Sequence, residues 1–266
     1  LKKISFNKIN NKTVMYVSLE PCFKKNSCCA KAIVKAGIKK VFISSLDPNP
    51  NIKCKGIDFL KKHNIKVFHS LKSTDRFKII NKFFYTRKTL NRPFITLKIA
   101  ISKNGFSKSP THKNITSDQT QYFMHQLRLS HDAIAIGMNT VLDDKPKLTC
   151  RLQGVSKNIS KLIFSNKEIK FKNYKLITVD YKKTVTENFS LFKKLKTQSI
   201  LIEGGLNTFK YFLNCNLFDE VIVCQSNMNI KNASKKYFLS MKSITNNLIL
   251  KSSLKYGEDM IYKFTN

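Results

Sequence analysis

Cys22 follows Leu19-Glu20-Pro21 and is followed by Cys28 and Cys29, so three thiols fall within eight residues. Zinc takes deprotonated thiolates among its usual four ligands, and the dipole at a helix start, where Cys29 stands, favours the thiolate form. Hydrolytic deamination of a pyrimidine needs this Pro-Cys…Cys pair together with a His two residues ahead of a catalytic Glu. No histidine precedes Cys22. The chain's five are His63, His69, His112, His125 and His131, and none has Glu two positions on. Cys22 and Cys29, with Cys28 as an alternative second ligand, therefore read as an incomplete zinc site that lacks a general acid/base.

A second group of chemically capable residues lies further along. Lys98 sits in the apolar run Phe94 to Ile101, where an ammonium is costly unless it faces a site or snorkels to water. In a site it could deliver a proton or orient an oxygen. Arg128 and Arg151 offer guanidinium forks suited to a phosphate. For Arg128 the competing reading is a solvated helix face. Asp143-Asp144 before Lys145-Pro146 reads either as a turn or as a site acid. Glu203 ends an apolar run and precedes Gly204-Gly205, which permit close backbone approach, and the helix expected next would offer free N–H groups to a phosphate. A full Gly-x-Gly-x-x-Gly fingerprint is absent from the chain, which argues against a standard Rossmann site.

These residues need a scaffold, and the pattern supplies one. Over the first 70 residues strand and helix alternate: Thr13 to Ser18, Lys40 to Ser44 and Ile65 to His69 read as strands, Cys28 to Ala36 and Gly56 to His63 as helices. Such alternation implies a parallel sheet covered by helices. Residues 73–91 are expected to form a bridging helix. Beyond it come strands at Phe94 to Ile101, Ala133 to Ile136, Lys161 to Phe164, Leu176 to Val179, Ser199 to Glu203 and Glu220 to Cys224, with two more near Leu248 to Leu250 and Met260 to Phe264. Helices are expected from a Ser117 cap to about Leu129, and over Asn207 to Asn214.

The 49 Lys and Arg against 16 Asp and Glu give a formal net charge of +33. The lysines are spread through nearly every segment, with no arginine-rich stripe or stacking motif of the kind nucleic-acid modules use. Drift toward Lys, Asn, Ile and Phe accounts for this, so nucleic acid is not the expected partner. A basic nucleic-acid-binding protein on a decayed enzyme scaffold stands as the alternative from another class. The positive field favours anionic small molecules. Seven irregularly spaced cysteines do not make a disulfide scaffold and fit a reducing cytoplasm. No apolar run approaches the roughly 20 residues of a membrane span, and no signal segment follows the basic start, so a cytoplasmic protein without membrane contact is expected. The start on Leu fits a fragment.

Taken together, Ser18-Leu19-Glu20-Pro21-Cys22, Cys29-Ala30, Ala36-Gly37, Asp47-Pro48-Asn49-Pro50 and Lys55-Gly56 resemble the later part of the deaminase domain of the bifunctional riboflavin-biosynthesis deaminase/reductase, the RibD family. Three further clusters resemble the reductase half of that family. They are Leu97-Lys98 with Ser102 and Gly105, Thr140 to Thr149 with Arg151, and Glu203-Gly204-Gly205. The resemblance implies an α/β chain with a partial cytidine-deaminase-like domain (1–72), a linker helix (73–91) and a dihydrofolate-reductase-like reductase domain (92–266). It implies an NADPH-dependent reduction of a phosphoribosylaminouracil, the ribose becoming a ribityl chain, in a homo-oligomer. The full bifunctional enzyme, its front half lying upstream, is the nearer alternative.

The same resemblance implies site roles. Lys98 and Asp144 would be catalytic. Ala100, Asn114, Thr140, Asp144, Gly205, Leu206, Asn207 and Thr208 would hold the cofactor, and His112, Arg128, Leu148, Arg151 and Glu203 the substrate. Cys22 and Cys29 would be what is left of the zinc site. The departures are Phe23 to Ser27 in place of a basic, histidine-rich loop, and His112 and Asn114 where the family carries a Ser and a Trp.

Overall fold

The computed structural model describes residues 9–10, 12–23, 28–155, 157–166, 174–179 and 191–266. The chain divides into two compact units, Leu1–Asn91 and Arg92–Asn266.

In the first unit, β1 (Val14–Leu19), β2 (Lys40–Ser45) and β3 (Lys66–His69) form a parallel sheet in that order. Helices α1 (Cys29–Lys35) and α2 (Lys55–Lys62) bring Ala30, Ile33, Ile57 and Leu60 onto Val41 and Ile43, a small apolar core. Glu20 is buried beside it, and its carboxylate accepts the N–H groups of Asp47, Cys54 and Gly56 at 3.2, 3.0 and 3.0 Å. A buried carboxylate is costly without such donors, so Glu20 ties the Asp47–Pro50 turn to the start of α2. Residue 56 must be glycine, because a Cβ there would collide with the Pro21 carbonyl. The sheet's other face carries Tyr16, Phe42 and Phe68 in one cross-strand row, with stacked rings 4.9 and 4.8 Å apart.

The segment read as a single bridging helix is two, α3 (Leu71–Ile80) and α4 (Lys82–Leu90), broken at Asn81, whose side chain and N–H both turn back to the Phe77 carbonyl. Asn side chains compete for backbone partners in this way and interrupt helices.

The second unit is an eight-stranded sheet, ordered β10-β11-β9-β4-β8-β5-β6-β7. Its strands are β4 (Phe94–Ile101), β5 (Ala133–Gly137), β6 (Ser160–Ser165), β7 (Lys175–Thr178), β8 (Ser199–Ile202), β9 (Glu220–Gln225), β10 (Ile249–Tyr256) and β11 (Asp259–Thr265). The six from β9 to β7 are parallel, and the β10–β11 hairpin closes one edge antiparallel. Parallel strands covered on both faces read as near-continuous apolar runs, and here every residue of β5 and β8 is buried. Among its described helices are α5 (Asp118–Ser130), α6 (Met138–Asp144), α7 (Leu206–Asn214) and α8 (Met241–Thr245). α7 inserts Leu206, Phe209 and Phe212 into the main core. Ser117 caps α5 as its position predicts, accepting the Thr120 N–H. α6 was not legible in the sequence; Asp143-Asp144, read as a possible turn, ends this helix, and the left-handed Lys145 (φ 41°) stops it.

Arg92, at the entrance of the second unit, grips Asp219 through Nη2 at 2.7 Å, and Asp219 also accepts the Ile95 N–H at 2.8 Å. The pair is largely buried and pins the start of β4 to the turn before β9. Asp219→Ala leaves Arg92 as an uncompensated charge, so it should cost roughly 3–5 kcal/mol, read as a lower urea midpoint; no change in midpoint would remove this pair from the forces holding β4.

Candidate functional site

The parallel strands of the second unit end on one side of the sheet, and there a cleft of about 990 Å³ opens. Four of the six contribute: Lys98, Ile99 and Ala100 from β4, Gly137 from β5, Phe164 and Ser165 from β6, Glu203 and Gly204 just past β8. Crevices at the carboxyl ends of parallel strands are where open α/β sheets bind ligands, because loops diverge there and helix N-termini point in. Lys98 and Ala100 are the two half-buried residues of an otherwise buried β4, and alternation puts both on one face.

α7 enters this cleft by its N-terminus. Its N-cap, Gly205, provides no side-chain cap, which leaves N–H groups of the first turn for a ligand. Close packing sets the glycines. A Cβ on Gly204 would meet Thr208 Cβ at 2.8 Å, one on Gly205 would meet Thr140 Oγ1 at 2.9 Å, and one on Gly137 would strike the Thr208 hydroxyl. The Gly205 N–H donates to Thr140 Oγ1 at 3.0 Å, joining α6 to the mouth of α7.

Glu203 carries the strongest electrostatic contact of the site. Arg128, from the end of α5, holds it bidentately, Nε to Oε1 and Nη2 to Oε2, both at 2.7 Å. The side chains are only 16% and 9% exposed. Burial by itself would raise the Glu203 carboxyl; the Arg128 hydrogen bonds and charge, with Lys98 adding its own, hold it below the usual carboxylate range. Arg128 is raised in turn: burial works against its charge, and Glu203 overcomes it. His125, nearby on α5, is pushed below the ordinary imidazole value by burial first and then by Arg128 and Arg151. Its Nδ1 accepts the Arg151 N–H at 3.3 Å, so the ring is held as a neutral acceptor.

At the other wall Asp144 accepts from Lys108 Nζ at 3.3 Å, both half exposed. Four lysines line the cleft: Lys98, Lys108, Lys210 and Lys236. Only Lys108 among them has a carboxylate partner among the described residues. With Glu203 neutralised by Arg128, the cleft keeps a surplus of positive charge.

Of the residues expected in one site, the structure gathers Lys98, Ala100, Thr140, Asp144, Glu203, Gly205, Leu206, Asn207 and Thr208 around this cleft. Five lie off its lining. The Arg128 guanidinium, expected on a phosphate, is spent on Glu203 and on the Thr149 carbonyl at 3.2 Å, because a buried carboxylate captures the nearest fork. Leu148 packs in a satellite core with Ile134, Val141 and Ile163, its backbone left-handed at φ 47°. Arg151 is exposed behind that core, and His112 and Asn114 are exposed on the 107–116 loop, where His112 Nδ1 lies 2.8 Å from the Thr111 hydroxyl. Sequence reasoning missed Ser107, Lys108, Asn139, Lys210, Lys236 and Tyr237. Their exposed or loop positions carry no periodic signal, and only the fold brings them to the strand ends.

The thiols of the first unit form no such centre. Cys22 and Cys29 lie 3.3 Å apart, Sγ to Sγ, while Cys28 Sγ caps α1 by accepting the Lys31 N–H. The Cys29 thiol is pushed up by its hydrogen bond with Cys22 and by burial, opposite in direction to the expected helix-start effect. Among the described residues no group of three His, Cys, Asp or Glu side chains could hold a metal ion, so the donors present do not fit zinc. The neighbouring residues 24–27 lie outside the described residues. No helix among the described residues is long and apolar enough to cross a membrane.

Comparison with known proteins gives a consistent result. Residues 93–262 match the family model described as the RibD C-terminal domain. The riboflavin biosynthesis protein RibD of Aquifex aeolicus is 28% identical, over 94% of this chain and 80% of its own length. That of Buchnera aphidicola is 30% identical, over 84% and 72%. A Thermotoga maritima structure titled a diaminohydroxyphosphoribosylaminopyrimidine deaminase/5-amino-6-(5-phosphoribosylamino)uracil reductase is 26% identical with a TM-score of 0.77, covering 94% of this chain and 78% of that one. An Acinetobacter baumannii RibD structure shares the fold at 22% identity and a TM-score of 0.78.

The buried ion pair should show itself in stability. Arg128→Ala leaves Glu203 unpaired and should cost roughly 3–5 kcal/mol at neutral pH. Since the folded Glu203 value is depressed, the pair's contribution is complete above the unfolded carboxylate value, about pH 4.3, and is lost as pH falls through the folded value. Urea unfolding of both proteins across that range checks it; a gap that does not narrow in acid would contradict the assignment.

Proposed function

The chain belongs to the RibD family of riboflavin-biosynthesis proteins and carries its C-terminal, reductase domain, and from that premise we propose that it reduces 5-amino-6-(5-phosphoribosylamino)uracil with NADPH, converting the ribose into a ribityl chain. The observation that carries this reading is the convergence of Lys98, Thr140, Asp144, Glu203 and the α7 N-terminus on one cationic cleft.

The cleft suits a dinucleotide. Its uncapped α7 N-terminus offers N–H donors for a pyrophosphate, Thr140 and Thr208 fix the approach around Gly204 and Gly205, and Lys210 on α7 adds charge. Bound there, NADPH would supply hydride to the anomeric carbon of the sugar. Opening the ring also needs a proton at the departing ring oxygen. Lys98 is placed to give it: an ammonium from the middle of β4, without a side-chain hydrogen-bond or ion-pair partner among the described residues, in the same cleft. Glu203 is held ionised by Arg128, with the Lys98 charge adding to that hold. Asp144 acts at the opposite wall, where its pair with Lys108 sets the position of both.

The first unit supplies no step. Two thiols without a His-x-Glu element do not activate water for deamination, and reduction is proposed as the activity of this chain.

The assay is oxidation of NADPH in the presence of the phosphoribosylaminouracil. Lys98→Ala, a loss of a general acid, should lower kcat by about 10²–10⁴-fold, and Asp144→Ala and Glu203→Ala should each reduce turnover. Equal turnover in all four proteins would overturn the site. NADPH binding should also raise the melting temperature in a concentration-dependent way, a readout independent of turnover.

A further inference from the structure

The 106–114 loop has no Trp, and its one Phe, Phe106, packs on Phe238 and does not line the cleft. Three aromatic residues line the cleft, Phe164, Tyr211 and Tyr237. Phe164 is wholly buried in the core against Phe192 and Phe212. Tyr211 packs edge-on to Phe212 on α7 at 5.5 Å. Tyr237, in the 3₁₀ turn 235–237, belongs to none of the apolar clusters among the described residues and is half buried at the cleft.

Its placement is built. The Tyr237 carbonyl accepts both the N–H and the hydroxyl of Ser107, at 2.9 and 3.1 Å. Phe106 bridges Phe238, their rings meeting edge to face at 5.5 Å. The Leu239 N–H donates to the Gly105 carbonyl at 2.8 Å. Gly105 itself is left-handed (φ +87°), and a Cβ there would stand 3.0 Å from the Phe238 ring, so the two segments are zipped at van der Waals contact.

Cations gather on this ring. Lys236 Nζ lies 4.9 Å and Lys108 Nζ 5.6 Å from its centroid. Lys108 also reaches Asp144, so contacts run unbroken from Asp144 through Lys108 and Tyr237 to Lys236, all four lining the cleft that holds Lys98 and the α7 N-terminus. Half-exposed ion pairs are weak, as are exposed cation–π contacts, so an incoming ring and its phosphate could displace these ammonium groups from Tyr237 and keep them as counter-ions.

Resting on the reductase reading above, the geometry points to Tyr237 as a ligand-binding residue of this cleft. Its ring stacks on the planar heterocycle of a phosphorylated ligand, and Lys236 and Lys108 neutralise that ligand's charge. Both the dinucleotide and the aminopyrimidine carry this chemistry.

The test measures NADPH affinity by fluorescence titration and substrate KM by NADPH oxidation, in the full chain and in Tyr237→Phe, Tyr237→Leu and Lys236→Gln. Loss of one stacking partner should weaken binding about tenfold in Tyr237→Leu and little in Tyr237→Phe. Lys236→Gln, at an exposed position that folding does not need, should weaken binding severalfold and flatten its salt dependence. A loss confined to NADPH assigns the ring to the cofactor, and one confined to KM assigns it to the pyrimidine; either supports the inference. Wild-type binding with both ligands unaffected in Tyr237→Leu and Lys236→Gln overturns it and leaves the reductase reading intact. A wild-type chain that binds neither ligand removes the reductase reading, and this inference falls with it.

Discussion

The Arg128–Glu203 pair is the contact on which the site is organised. It joins the end of α5 to the residue just past β8, and so fixes where the strand stops and where Gly204 and Gly205 turn the chain into α7. A carboxylate so deeply buried persists only with a fork of donors around it. The pair also sets the charge of the cleft. With Glu203 paired to Arg128, Lys98, Lys210 and Lys236 line the cleft with no carboxylate in salt-bridge contact among the described residues.

Around that contact the chain uses tight packing in place of a glycine fingerprint. Thr208 fills the space that a side chain at 137 or 204 would take, and Thr140 holds the Gly205 N–H. The approach to the α7 N-terminus is thereby narrowed by threonines from two helices. This packing opens the cleft to a helix N-terminus in a sheet that lacks Gly-x-Gly-x-x-Gly. It also explains why α6 matters: seven residues long and invisible to periodicity, it carries both Thr140 and Asp144.

The first unit tells a different story. Glu20, in a string whose resemblance is to a zinc deaminase, is a structural bracket for three backbone N–H groups. Its Cys28 caps a helix and its Cys22 and Cys29 lean on each other. A motif can thus keep its shape through backbone hydrogen bonds when the donor set for its metal is incomplete.

The chain alone made legible the alternation of strands and helices, the Ser117 cap, the apolar runs of β5 and β8, and the exceptional place of Lys98 in β4. These are local properties: period, capping chemistry and the cost of a charge among apolar neighbours are written within a few residues of each other. Tertiary structure alone decided that Arg128 serves Glu203, 75 residues away, that Leu148 turns into a core, that Arg151, His112 and Asn114 stand off the cleft, and that Tyr237 stands in it. Those outcomes depend on which strand ends meet and which charges are buried together, and pairing energies of that kind exist only once distant segments have been brought into contact.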